Sequence, residues 1–284
     1  MARRNVFIAF LLNLVFSIIE LIFGLLFKSS AILADAVHDF GDALAIGLSF
    51  VTERMSDKRA DQNFSLGYKR FSLLGAMITS SILILGSVFL IVENFPKLFH
   101  PEVVNKEGML ILGVIAIIIN VLASLVVHKG KTVNEAILSL HFLEDILGWL
   151  AVILVSIVLR FTDWYFLDPL LSLVISAFIL SKAVPKFWDN GKLFLNATPK
   201  ELDFVSLEAE LLDLEGVENL NQLNVWTSDG LNHQAVVHIC KTSHLTDQAV
   251  KEQIYTCLSS HHIQLLALEI DQDQTEHEKH GLHL

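Results

Sequence analysis

The sequence predicts a membrane-embedded bundle of six α-helices followed by a small α+β domain, and three observations carry that prediction. Hydrophobic residues make up 53% of the 284, more than an ordinary soluble chain holds. They come in six runs, each near the roughly 20 residues a helix needs to cross a hydrocarbon core. The charge is segregated. Residues 1–195 balance 16 Lys/Arg against 16 Asp/Glu, whereas residues 196–284 hold four Lys against fifteen acids, so the whole net charge of −11 sits at the end of the chain. An acidic, phosphate-repelling tail excludes nucleic acid as a partner. It suits cation handling, and solubility alone would also account for it.

In order along the chain, the spans are about 5–27, 30–52, 71–94, 108–128, 136–159 and 168–188. The run after Met-Ala-Arg-Arg is too long for a signal-peptide core and lacks a small-residue cleavage site, so it reads as a retained first span. Asp168-Pro169 is a helix start, a capping side chain followed by proline at the first helical position. Nine Lys/Arg fall in the short loops on one side and four on the other, which places both termini in the cytoplasm. Gly24, Gly47, Gly75 and Gly86 are read as sites of close helix contact. Beyond the spans, helical spacing over Leu202–Leu214 and Leu245–Leu258 alternates with short strands at Leu223–Val225, Gln234–Ile239 and Leu265–Asp271. The expected organisation is a transmembrane domain over 1–192, a cytosolic αββαβ domain over 193–273 and a polar His-containing tail over 274–284.

Chemistry concentrates in two short patterns, His38-x-x-x-Asp42 and His141-x-x-x-Asp145. Residues i and i+4 share a helix face, so each pattern sets an imidazole beside a carboxylate at membrane depth. If spans two and five touch, two nitrogens and two oxygens enclose one ion, and two carboxylates neutralise a divalent charge. That donor set favours zinc, cobalt, nickel or copper over magnesium or calcium, and tetrahedral geometry favours zinc. Asp35, Asp39 and Glu144 lie alongside as proton-carrying or supporting groups. Burying several carboxylates without a cation costs several kcal/mol each, which disfavours a merely structural patch. Asn13 and Glu20 share a face of the first span, Glu20 being read either as an aid to proton movement or as hydrogen-bonded packing.

The stretch Ser30-Ala-Ile-Leu-Ala-Asp-Ala-Val-His-Asp-Phe-Gly-Asp-Ala-Leu resembles the second-helix signature of the cation diffusion facilitator family. Phe64-Ser-Leu-Gly-Tyr-Lys-Arg, Asp168-Pro-Leu-Leu-Ser-Leu-Val-Ile and the segment from Leu223 to His238 resemble further family segments in the right order. The resemblance implies six spans, a metallochaperone-like cytosolic domain, a homodimer and divalent metal/proton antiport. It also implies a transport site made of His38, Asp42, His141 and Asp145. Some members hold a second metal in the loop after helix two, but the matching positions here are Asp61, Phe64 and Tyr68, so no such site is expected. The connection His128–Asn134 is too short for a His-rich loop. In the cytosolic domain, His238 and Asp271 match family ligand positions with Cys240 beside them, while Asn221 and Leu265 replace histidines; zinc bound there and a packed, metal-free arrangement are equally open. His261-His262 reads as an ordinary loop pair. His277, His280 and His283 in the tail read as weak metal ligands or as a solvated tail.

The expected function is efflux of a divalent cation, Zn²⁺ foremost, by alternating access in exchange for protons. Cd²⁺, Co²⁺ or Fe²⁺ as cargo is the alternative, and a membrane metal sensor a more distant one. No His-Glu-x-x-His is present, and an enzyme is not expected. Both Asn-x-Ser/Thr sequences, at Asn63 and Asn196, fall on the expected cytoplasmic side, which favours a bacterial inner membrane.

Overall fold

The computed structural model describes residues 2–127, 133–242, 244–272 and 278, giving backbone alone for 2–9, 12, 53, 123–127, 133–142 and 265–266. Six long helices come first: α1 Ala2–Phe27, α2 Ser30–Ser56, α3 Phe71–Lys97, α4 Lys106–Val127, α5 Val133–Phe161 and α6 Leu167–Phe194. On α3 and α4 the outer faces are apolar while buried positions include small and polar residues. On α3, Leu85, Phe89 and Val92 are exposed while Ser80, Ser87 and Asn94 are buried. On α4, Ile111, Ile118 and Leu122 face out and Asn120 faces in. Among the described residues, α3 and α6 are long and apolar enough to cross a membrane on length and composition alone. Helix α2 falls short of that measure because Asp35, Asp39 and Asp42 interrupt it.

The chain divides into two compact units, Met1–Phe50 with Ile78–Phe187 and Val51–Met77 with Trp188–Leu284. In the first unit, buried Trp149 of α5 packs with Phe16 of α1, Ile32 of α2 and Met109 and Ala116 of α4. Glycines let α2 approach its neighbours. A Cβ on Gly41 would lie 2.1 Å from Leu83 of α3, and one on Gly47 would lie 2.9 Å from Phe10 of α1. Gly86 of α3 receives Val37 of α2 in the same way.

The start of α2 is held by a residue 138 positions away. Asp168 accepts hydrogen bonds from the Ser30 N–H at 2.6 Å, the Ala31 N–H at 3.3 Å and the Ser29 hydroxyl at 2.6 Å. The first amides of a helix have no partner within it and carry its positive dipole end, so a buried carboxylate there is well placed. The sequence predicts a cap for Asp168's own helix; the structure turns it onto α2. Asn94 of α3 donates to Ser172 of α6 at 3.1 Å, and Arg160 of α5 pairs with Glu107 of α4.

In the second unit, the residues after α6 form α7 Phe204–Leu212, β1 Val217–Thr227, β2 His233–Lys241, α8 Asp247–Ser260 and β3 Ile263–Asp271, the αββαβ order expected. Asp203 and Thr246 cap α7 and α8 by accepting from the N–H groups of Ser206 and Ala249. The sheet order is β1-β2-β3, antiparallel between the first two and parallel between the last two. Leu207, Leu211, Val250, Ile254 and Leu258 bury the helices on Val225, Val237 and Ile239. Strand β1 begins six residues before the expected Leu223. Irregular register at Val217/Asn219 and Leu220/Gln222 breaks the alternation there and hides the strand from a period-2 reading. Within this unit, Lys69 of the α2–α3 loop pairs with Asp229 of the β1–β2 turn at 3.2 Å, and Arg70 donates to Asn196.

Candidate metal site

Helix α2 carries His38 and Asp42 one turn apart, with His38 Nε2 3.7 Å from Asp42 Oδ2. Both side chains are about a quarter exposed or less, at 20% and 26%. Asp145 of α5 is buried. His141 lies one turn before it in the same helix, with its side chain outside the described residues. Helix α2 comes near α5 at Gly148, where a Cβ would stand 3.5 Å from Asp35 Oδ1. Gly148 is one turn beyond Asp145, which puts Asp145 near the α2 carboxylates, although His38, Asp42 and Asp145 do not gather within 4.8 Å of one another.

Around that interior the charges are close. Asp145 lies within electrostatic range of Asp35 and Asp42, and Asp39 within range of Asp35, Asp42 and Asp145. Asp35 and Asp39 are buried, whereas Glu144 is exposed. Glu20 of α1 is fully buried and faces Asp39, Asp35 and Asp145. The sequence left Glu20 between two readings; the structure joins it to the carboxylate cluster, a role its spacing along α1 alone did not reveal. Asp35 Oδ2 is buried without a hydrogen-bond partner. Four buried carboxylates on three helices constitute a strongly cation-seeking interior, and ions or protons are what such an interior takes up.

The other sequence-predicted positions have partners of their own kind. In the α2–α3 loop, Asp61 accepts from the N–H groups of Asn63 and Phe64 at 2.8 and 2.9 Å and from the Tyr68 hydroxyl at 2.6 Å. These bonds hold the Asp61 carboxyl below its usual range and push the Tyr68 phenol up. The Phe64 ring lies 4.5 Å from that of Tyr68. In the sheet, His238 Nδ1 is 3.4 Å from Asp271 Oδ1. Asn221 donates to Asp271 Oδ2 at 2.7 Å and to Cys240 Sγ at 3.3 Å, so its amide bridges those two side chains and occupies one acceptor atom of each. His277, His280 and His283 lie outside the described residues.

Residues 6–195 match the cation efflux transmembrane domain. The chain belongs to the cation efflux, or cation diffusion facilitator, family. Members are transporters rather than enzymes. The chain is 29% identical over 235 residues to the cadmium, cobalt and zinc/H⁺-K⁺ antiporter of Bacillus subtilis (strain 168), covering 81% of this chain and 76% of that protein. It is 29% identical over 227 residues to the zinc transporter ZitB of Pectobacterium atrosepticum, covering 78% and 71%. Over 239 residues it is 26% identical to the metal cation efflux system protein CzcD of Cupriavidus metallidurans, covering 84% and 76%. This chain is accordingly a membrane protein of the zinc-type branch that moves divalent metal cations.

Proposed function

We propose that the chain exports Zn²⁺ from the cytoplasm in exchange for protons, with Cd²⁺ and Co²⁺ as further cargo. The relatives' substrates support the cargo. The observation that supports the reading is that Asp42 of α2, beside His38, lies within electrostatic range of Asp145 of α5, next to buried Asp35 and Asp39. In this reading all six long helices span the membrane, both termini are cytoplasmic, and the protein works as a homodimer in a bacterial inner membrane.

The ion enters with the bundle open inward and binds His38, Asp42, His141 and Asp145. Two carboxylates cancel its charge and two neutral imidazoles complete a four-coordinate shell. Ligands bind metal only when deprotonated, so protons and metal compete for the same atoms. When the helix groups rock outward around this midplane site, protonation of an imidazole or a carboxylate weakens the shell and releases the ion. Asp35 and Asp39 keep the interior cation-seeking while the metal is absent.

The test is flux into proteoliposomes under an imposed pH gradient, with Zn²⁺ competed by Cd²⁺, Co²⁺, Fe²⁺ and Mn²⁺. Zinc uptake that rises with the gradient and is accompanied by counterflow of protons supports antiport. Tight zinc binding without flux would contradict transport and favour a sensor.

A further inference from the structure

One cluster of metal-ligating side chains lies apart from the transport site. Glu210 is on α7, Cys257 on α8, and His261 at the C-terminal cap of α8. Cys257 and His261 are one helical turn apart, the same i, i+4 spacing that pairs His38 with Asp42. Helix α8 buries Val250, Ile254 and Leu258. The turn Cys257–His261 runs beside that stripe and meets α7, whose Leu207 and Leu211 are buried in the same core.

His261 Nε2 lies 2.8 Å from Glu210 Oε2, and Cys257 Sγ lies 3.9 Å from the same oxygen. The three ligand atoms all fall within 4.8 Å of one another, and no other such group of three occurs among the described residues. A tetrahedral zinc shell places thiolate, imidazole and carboxylate atoms roughly 3.3–3.6 Å apart, given bonds of about 2.0–2.3 Å. The two edges that meet at Glu210, 2.8 and 3.9 Å, lie on either side of those lengths, and the half-exposed glutamate has room to shift between them.

The setting favours a cation. The groove beside Cys257 is lined by Asp213 and Glu252 as well as Glu210. Burial, and then the negative charge of Glu210, push the Cys257 thiol above its usual range. The hydrogen bond with His261 holds Glu210 below its own. At rest the cluster is therefore a protonated thiol beside a histidine–carboxylate pair.

We propose that Glu210, Cys257 and His261 form a second divalent-metal site, on the helical side of the C-terminal domain, that takes a thiophilic ion such as Zn²⁺ or Cd²⁺. On binding, the Cys257 S–H bond breaks and its proton leaves to water. The thiolate, the His261 ring nitrogen and a Glu210 oxygen then bond the ion, with water in the fourth position. Two negative ligands and one neutral ligand leave the shell uncharged. This site shares no residue with the His238, Cys240 and Asp271 group on the sheet.

The chain has only two cysteines, which makes the test decisive. The full-length protein in detergent is titrated with Cd²⁺ while the thiolate-to-cadmium charge-transfer absorbance is followed. The transport site has no sulfur and is silent in this assay. The band is expected in the wild type and in Cys240→Ser, and absent in Cys257→Ser. His261→Ala and Glu210→Ala, which keep both thiols and alter exposed or half-buried positions, are expected to weaken the Cd²⁺ affinity read from the band by at least about tenfold. Zn²⁺ is expected to bleach the band by displacement. Absence of a band in the wild type, a band that follows Cys240, or full affinity in His261→Ala would overturn the proposal and leave the cluster a salt bridge beside a thiol.

Discussion

Replacing Asp168 by alanine isolates the contact that seats the site-bearing helix. The substitution strips acceptors from the Ser30 and Ala31 amides and from the Ser29 hydroxyl, all buried at the start of α2. The hydroxyl can rotate to another acceptor, but the two amides cannot. An orphaned buried donor costs about 1–3 kcal/mol, so with two amides orphaned Asp168→Ala is expected to destabilise the protein by roughly 2–6 kcal/mol. At roughly 2–4 °C per kcal/mol for a chain of this size, the melting temperature falls by roughly 4–24 °C. Asp168→Asn keeps one carbonyl acceptor while losing the charge that opposes the helix dipole, and is expected to lose about half as much. Ser29→Ala leaves the Ser30 and Ala31 amides satisfied but removes a donor to Asp168 and the hydroxyl that accepts from the buried Ile32 N–H at 3.3 Å, for a loss of about 1–3 kcal/mol. Thermal unfolding of the purified protein in one detergent, followed by tryptophan fluorescence, measures all three. Zinc flux should fall with the stability, since α2 carries His38 and Asp42. If Asp168→Ala melts within about 1 °C of the wild type, the cap contributes nothing and the reasoning fails.

Other substitutions separate packing from charge. Gly108→Ala would put a methyl 2.5 Å from the Phe27 ring, and overpacking of this kind is expected to cost about 1–3 kcal/mol in the same melts. Gly148→Ala meets only an ordinary 3.5 Å contact with Asp35 Oδ1 and should melt like the wild type, whereas Gly148→Leu should abolish zinc flux by filling the space between α2 and α5. Burial alone would raise the Asp229 carboxyl, but bonds from Asn232, Leu231 and Lys69 outweigh it and hold the group below its usual range. Its stabilising effect is therefore present above the unfolded value of about 3.9 and is lost as pH falls through the lower folded value. Asp229→Ala should speed hydrogen exchange in β1 and β2 at neutral pH, with the difference from wild type closing as the medium is acidified toward and below that range.

Legibility of the sequence followed the physics of each feature. Period-3.6 faces and long apolar runs marked the six helices, and the order αββαβ was readable from alternating patterns. Strand β1 was half hidden because its irregular register breaks the alternation between Val217 and Gln222. The His-x-x-x-Asp pairs were visible since i, i+4 spacing fixes a shared face without any tertiary knowledge. The target of Asp168 was not, because a helix cap supplied from 138 residues away leaves only a local Asp-Pro signal that fits a nearer role equally well. Glu20 was ambiguous for a similar reason: its neighbours Asp39 and Asp145 come from other helices. The trio Glu210, Cys257 and His261 went unseen although Cys257-x-x-x-His261 has the spacing that drew attention to His38, since its third member comes from a different helix 47 residues earlier.

The central claim is that side chains of α2 and α5 enclose one transported ion. The most direct measurement is the initial rate of Zn²⁺ uptake into proteoliposomes for Asp42→Asn and Asp145→Asn, each reconstituted to wild-type density and checked for wild-type melting. Both substitutions keep shape while removing half of the charge that neutralises the ion. The account predicts that either one reduces uptake at limiting zinc by at least about tenfold, and that raising the zinc concentration recovers part of the loss. Uptake at the wild-type rate in either variant would contradict it.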